Sequence, residues 1–314
     1  MIIIEFIECL KGGTSSLSKE GIISLGEAFV DLISADQTNT RYQQFVGGAT
    51  VNVAVRASRF GIPSYYLCKL GTDANSLFVA KALKKENINI DYCVPSFEKK
   101  VCSVYIHLNE DGDRYFHKYV NETPDEWLTV DELEQELFHV GKIFYFSSGT
   151  LFNDKARKTT EQALAYAEEY HMLVAFDANI RLKRWESEEE CRERVSSFMK
   201  RADLVKVTED ELLFLTEAST MEEGLVKMSS LNIPFLFITM GEAGACVLHD
   251  GNIMDVPGIK VKAVDTTGAG DAFFAAILSR FHKEGVPVDD SQLKEYVHFA
   301  NKVGAIATTK IGSL

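Results

Sequence analysis

No Cys-x-x-C pair occurs among Cys9, Cys68, Cys93, Cys102, Cys191 and Cys246, and their spacing is irregular. That argues against a structural zinc site or a disulfide framework and leaves scattered thiols in a reducing cytosol. Proline (6) and glycine (21) are too few for a low-complexity or collagen-like chain. Basic residues are in the minority, 33 Lys and Arg against 46 Asp and Glu, for a net charge of −13. Nucleic acid and anionic lipid need basic surface, so neither is expected as a partner. No apolar run approaches the ~18 residues of a membrane span. G-x-x-x-x-G-K-[ST], H-E-x-x-H and the protein-kinase motifs are absent too. The first strand is followed by no G-x-G-x-x-G, which speaks against a dinucleotide oxidoreductase.

What is present is a globular composition, 46% hydrophobic and 25% charged over 314 residues. Residues 1–21 read as an extension outside the fold. An apolar stretch carrying Glu5 and Glu8, without a basic leader, runs into a polar Gly/Ser segment. Residues 22–314 read as one domain. Residues 22–33 are expected as one buried strand interrupted by Gly26, residues 65–71 as another, with helices over 51–60 and 76–87. Around Asn109-Glu-Asp-Gly112, residues 101–120 alternate as a β-hairpin should. Strands at 142–148, 173–179, 203–208 and 235–241 then alternate with helices at 155–170, 188–201 and 209–216. A second hairpin (245–256) and helices at 271–284 and 291–309 follow. This rhythm predicts an α/β fold, a mostly parallel sheet with helices on both faces. Segments near 34–46 and 95–120 would form a small β-hairpin lid. Ligands of such sheets bind beyond the carboxyl ends of the strands.

The most informative stretch is Val264-Asp-Thr-Thr-Gly-Ala-Gly-Asp-Ala-Phe-Phe-Ala-Ala-Ile-Leu278, a small-residue turn entering an apolar helix. Backbone N–H groups of Gly268, Ala269 and Gly270 at a helix N-terminus suit an anion. Asp271 would compete with that anion unless it accepts a proton from an attacking hydroxyl while the amides stabilise a transferring phosphoryl group. Taken alone, the same residues are equally compatible with a tight turn and an ordinary N-terminal helix acid.

DTTGAGDAF resembles the C-terminal signature of the ribokinase-like (PfkB) carbohydrate kinases, and residues 47–61 (GGATVNVAVRASRFG) are similar to the N-terminal one. Both stand in family order, and the resemblance spans about residues 22–312. It implies that Asp271 is the general base and that Gly268, Ala269 and Gly270 form the anion hole. Asp31, Gly47, Gly48 and Asn52 would contact sugar hydroxyls. Thr208-Glu-Asp-Glu211 resembles the family's Asn-x-x-Glu element with Thr in place of Asn, which puts Thr208 near the nucleotide and Glu211 near hydrated Mg²⁺. Thr239, Gly241 and Gly244 resemble the strand-end turn beside ATP, and Asn301 falls near the adenine pocket. A K⁺ site, where members have one, would draw on Asp265, Thr267, Ala307, Lys310 and Gly312.

Phe176-Asp-Ala-Asn-Ile-Arg181, with Trp185 beyond it, resembles a stretch of fructokinases and 2-keto-3-deoxygluconate kinases. The resemblance thus implies ATP-dependent phosphorylation of a ketose, fructose first. A keto acid is kept open by Arg114 and Arg181, which could clamp a carboxylate. A sugar-binding regulator without catalysis is the third reading, and pairing of two lids into a homodimer is a further expectation.

Overall fold

A computed structural model describes residues 19–314, so most of the expected 1–21 extension, Cys9 included, lies outside the described residues. In chain order the elements are β1 (Ile22–Leu25), β2 (Phe29–Ser34), β3 (Tyr42–Gly47), α1 (Ala49–Arg59), β4 (Ser64–Leu67), β5 (Lys69–Leu70), α2 (Ala74–Lys85), β6 (Val94–Pro95), β7 (Ser103–Leu108) and β8 (Arg114–Val120). They continue as α3 (Glu136–Val140), β9 (Ile143–Ser147), α4 (Asp154–Glu169), β10 (Leu173–Asp177), α5 (Glu188–Met199), β11 (Leu204–Thr208), α6 (Glu209–Thr216) and α7 (Met221–Ser229). The last are β12 (Phe235–Thr239), β13 (Gly244–His249), β14 (Asn252–Pro257), α8 (Ala269–Glu284) and α9 (Asp290–Ala307).

Strands that are apolar on both faces need helices on both, and the main sheet has them. Its order is β14-β13-β12-β11-β10-β9-β1-β4, parallel from β4 to β12 and antiparallel at the β13–β14 edge. Alternation along each strand feeds two apolar layers. Phe144, Phe146, Phe176, Val205 and Val207 pack with Leu164 and Phe198 on one side. Tyr145, Ala175, Leu204 and Phe237 pack with Phe273, Phe274 and Phe281 of α8 on the other.

The lid is a second sheet, β3-β2-β7-β8, in which the Asn109–Gly112 turn joins β7 to β8. Two expectations are corrected here. The strand expected over 22–33 is two strands in different sheets: β1 lies in the main sheet and β2 opens the lid, which therefore starts at Phe29 and not near 34. The chain bends at Gly26, where a Cβ would stand 2.2 Å from Thr50 Oγ1 of α1. Likewise 65–71 divides at Cys68 into β4 of the main sheet and β5, which pairs with β6. Two helices, α3 and α7, were not anticipated; Thr220 caps α7 by accepting from the Glu223 N–H.

Candidate active site

The first turn of α8 opens into a cleft of about 360 Å³ between the main sheet and the lid. Gly268 has φ +74°, and a Cβ there would stand 2.8 Å from that of Ser313. Only glycine meets both demands. The Ala269 N–H closes the turn by donating to the Thr266 carbonyl (3.2 Å), so one of the three amides expected to form an anion hole is engaged within the turn.

Asp271 follows in the same turn. Its Oδ2 accepts from Asn52 Nδ2 at 2.7 Å, and Asn52 Oδ1 accepts from Ser313 Oγ at 3.1 Å. This fixes the orientation of the Asn52 amide. Asn52, expected to hold a sugar, is thus already committed to the Asp271 carboxylate. Burial pushes the Asp271 carboxyl above the usual aspartate range, and the Asn52 bond with Lys206, Arg181 and Arg56 pulls it back.

Asp31 of β2 lines the cleft from the lid side, and no described residue donates a hydrogen bond to its carboxylate. Burial raises it to about 6. Gly47 lies directly behind it: a Cβ there would be 2.3 Å from Asp31 Oδ2. Gly48, with φ +111°, lines the cleft and precedes α1.

Three arginines face this space, and they differ in what they already hold. Arg114 of β8 pairs with Asp265 in the loop before α8. Arg184 pairs with Glu27 (3.2 Å) and stacks 4.1 Å from the Phe152 ring centroid. Arg181 donates to the Ile180 carbonyl and has no carboxylate partner among the described residues.

The residues expected around ATP sit farther along the sheet. Thr208 and Thr239 are register partners at the carboxyl ends of β11 and β12. Thr208 caps α6: its Oγ1 accepts from the Glu211 N–H, and Glu211 Oε2 accepts from the Thr208 N–H. Glu211 Oε1 accepts from the Ile180 N–H at 2.7 Å, tying this cap to the Arg181 segment. Gly241 and Gly244 have φ of +58° and +106°. Asn301 is buried, and its Nδ2 donates to the Val256 and Pro257 carbonyls, anchoring β14. No group of three His, Cys, Asp or Glu among the described residues could cage a metal. Each Glu211 oxygen keeps a lone pair for a water, which fits a hydrated Mg²⁺ held mainly by phosphates.

The expected cation residues converge, because the chain after α9 folds back on the loop before α8. Asp265 accepts from the Thr267 and Gly312 N–H groups, and the Thr308 carbonyl accepts from the Val264 and Asp265 N–H groups. Lys310 N–H donates to the Ala307 carbonyl. The Asp265 carboxylate already faces a cation, Arg114.

Four side chains of the site escaped the sequence reading: Glu27, Arg184, Ser313 and Lys206. Lys206 had a visible signal. It is a lone charge at an inward position of the otherwise apolar β11, opposite Asp177 in β10.

Residues 19–314 match the family described as "pfkB family carbohydrate kinase". The chain is 34% identical over 303 residues to fructokinase-1 of Zea mays, covering 94% of each sequence. A double-mutant fructokinase of Vibrio cholerae O395, solved with fructose, ADP and potassium ion bound, superposes with a TM-score of 0.82 at 30% identity over 94% of each chain. Aminoimidazole riboside kinase of Salmonella enterica, solved with aminoimidazole riboside and an ATP analog, gives 0.81 at 26% identity, over 93% of this chain and 94% of that one.

Proposed function

Because the chain belongs to the pfkB family of carbohydrate kinases, we propose that it transfers the γ-phosphate of ATP to the primary hydroxyl of D-fructose. The observation that carries this is Asp271: a half-buried carboxylate at a helix N-terminus, oriented by Asn52 and open to a cleft lined by Asp31. The fructose preference comes from the relatives, the plant fructokinases and the fructose-bound bacterial enzyme. A 2-keto-3-deoxygluconate substrate is disfavoured by the arginines. Two of the three in the cleft, Arg114 and Arg184, already neutralise carboxylates of the protein, which leaves Arg181 alone and no clamp.

In the mechanism we propose, Asp31 and the Gly48 backbone orient the sugar. Asp271 accepts the hydroxyl proton. The Gly268 and Gly270 amides face the transferring group, once Ala269 releases Thr266 or with Ala269 left out. Arg181, without a carboxylate of its own, meets the phosphate or the sugar. Thr208, Thr239, Gly241 and Gly244 border the nucleotide, and Asn301 shapes that border through β14. Glu211 would accept from a water of a hydrated magnesium ion, which would supply charge neutralisation to the phosphates. The lid excludes water that would hydrolyse ATP. A K⁺ at Asp265 would share that carboxylate with Arg114. The five described cysteines are free thiols, consistent with work in a reducing cytosol. A homodimer joined through the lids belongs to the same proposal; sedimentation at a monomer mass would remove it.

The test is ADP release with ATP and Mg²⁺ against fructose, 2-keto-3-deoxygluconate, ribose and nucleosides. Fructose should lead, and Asp271→Ala should cut kcat by ~10²-fold or more. Sugar binding without ADP release would favour the regulator reading. Wild-type turnover in Asp271→Ala would remove Asp271 as the base.

A further inference from the structure

Asp177 and Lys206 are cross-strand partners in the parallel pair β10–β11. Both point to the sheet face that α8 covers, alongside Ala175 and Leu204. Lys206 Nζ lies 3.0 Å from Asp177 Oδ1 and 3.4 Å from Oδ2, and the two side chains are 5% and 0% exposed. A buried ion pair is no asset to stability, because desolvation offsets most of its attraction. The pair nevertheless stands under the functional turn. A Cβ on Gly270, the residue before Asp271, would be 3.0 Å from Lys206 Nζ.

We propose that Lys206 is a positioning residue: held upright by Asp177, its ammonium presses against the first turn of α8 and keeps the Asp271 carboxyl in its proton-accepting form. This inference rests on Asp271 being the base. In the reaction, the sugar oxygen bonds to the γ-phosphorus and the bond from that phosphorus to the β–γ bridging oxygen breaks. ADP leaves with the electron pair, and the hydroxyl proton passes to Asp271. Lys206 exchanges no proton; it sets how readily Asp271 holds one. The other groups facing Asp271 are Asn52 and Arg56 from α1, Arg181 after β10, Asp177 itself and the buried Tyr145 phenol of β9. Glu211 of α6 acts on Lys206 and Asp177, and Asp31 lines the same cleft.

The signs follow from the charges. Removing the ammonium must raise the Asp271 pKa further and shift the acid limb of the rate upward. Removing the Asp177 charge leaves the ammonium uncompensated and must shift the limb downward. Single-turnover rates at saturating fructose and ATP, measured against pH, test this with Asp31 already engaged by sugar. Lys206→Met should move the limb up by about one pH unit, a ~10-fold loss at the wild-type midpoint's acid side that recovers at higher pH. Asp177→Asn should move it down, and Lys206→Arg should restore it. An unmoved limb in folded Lys206→Met overturns the proposal, as does an upward shift in both Lys206→Met and Asp177→Asn. If Lys206→Met does not fold, Asp177→Asn decides: an unmoved or raised limb overturns it. Asp271→Asn separates the two readings. Turnover retained there refutes the base itself, whereas a dead Asp271→Asn with an unmoved Lys206→Met limb refutes only the role of Lys206.

Discussion

Asp31, which we propose orients the sugar, shows what a desolvated carboxylate costs in a cleft when no described residue donates to it. It is largely desolvated, accepts no hydrogen bond from a described residue, and is lifted to about 6. The folded state therefore holds a proton that the unfolded chain gives up near pH ~4. Above about pH 6 its ionisation works against folding in full. Asp31→Asn should raise the melting temperature of the sugar-free protein at neutral pH. It should also raise the fructose KM by ~10- to 100-fold, the worth of a hydrogen bond to a charged acceptor. In the wild type, KM should climb as pH falls through about 6. Calorimetry and a KM series against pH check both; an unchanged KM in Asp31→Asn would detach Asp31 from the sugar. Asp271 was legible because it belongs to a long motif with glycines at fixed positions, whereas Asp31 was named only through the family resemblance. Asn301 was harder to place. A buried Asn and a solvated one look alike in a helix, and only the carbonyls of Val256 and Pro257 show that it braces a strand.

At the scale of elements, periodicity located nearly every strand and helix but not where one sheet hands over to another. β1 and β2 read as one apolar run because nothing in their composition differs. The break comes from Thr50 of α1 crowding Gly26, a contact between segments separated in sequence. Arg114 gained a partner for the same reason. Its place in the hairpin puts it on the cleft, and the folded lid also brings it to Asp265, spanning from β8 to the loop that begins the α8 turn. That makes it a tie between the lid and the turn before α8. Arg114→Ala should loosen the closed lid and admit water. ADP should then form in excess over sugar phosphate, and fructose KM should rise. Assaying both products in one reaction decides it: a ratio of one, with wild-type KM, would leave the ion pair without a part in closure.

Across the whole molecule, acidity and phosphate chemistry are reconciled by placement. The net charge of −13 belongs to the chain as a whole, while arginines 56, 114, 181 and 184 and Lys206 gather around one cleft. That cleft lies between two bodies of unequal stability. The main sheet is sandwiched between two apolar layers, whereas β8 of the lid is exposed along nearly its whole length, with Tyr115 at 46% and Phe116 at 40%. Local opening scales with how few buried contacts a segment has. Amide exchange should therefore be fast in 103–120 and slow in β9 and β12 in the free protein. Fructose with a nucleotide should slow it in the lid and leave the central strands unchanged. The segment after α9 belongs with the slow body, since Ser313 donates to Asn52 and accepts from Arg56 while Leu314 packs under the lid. Ligand-induced protection confined to the main sheet would mean that the lid does not close on the substrate, and the exclusion of water would need another source.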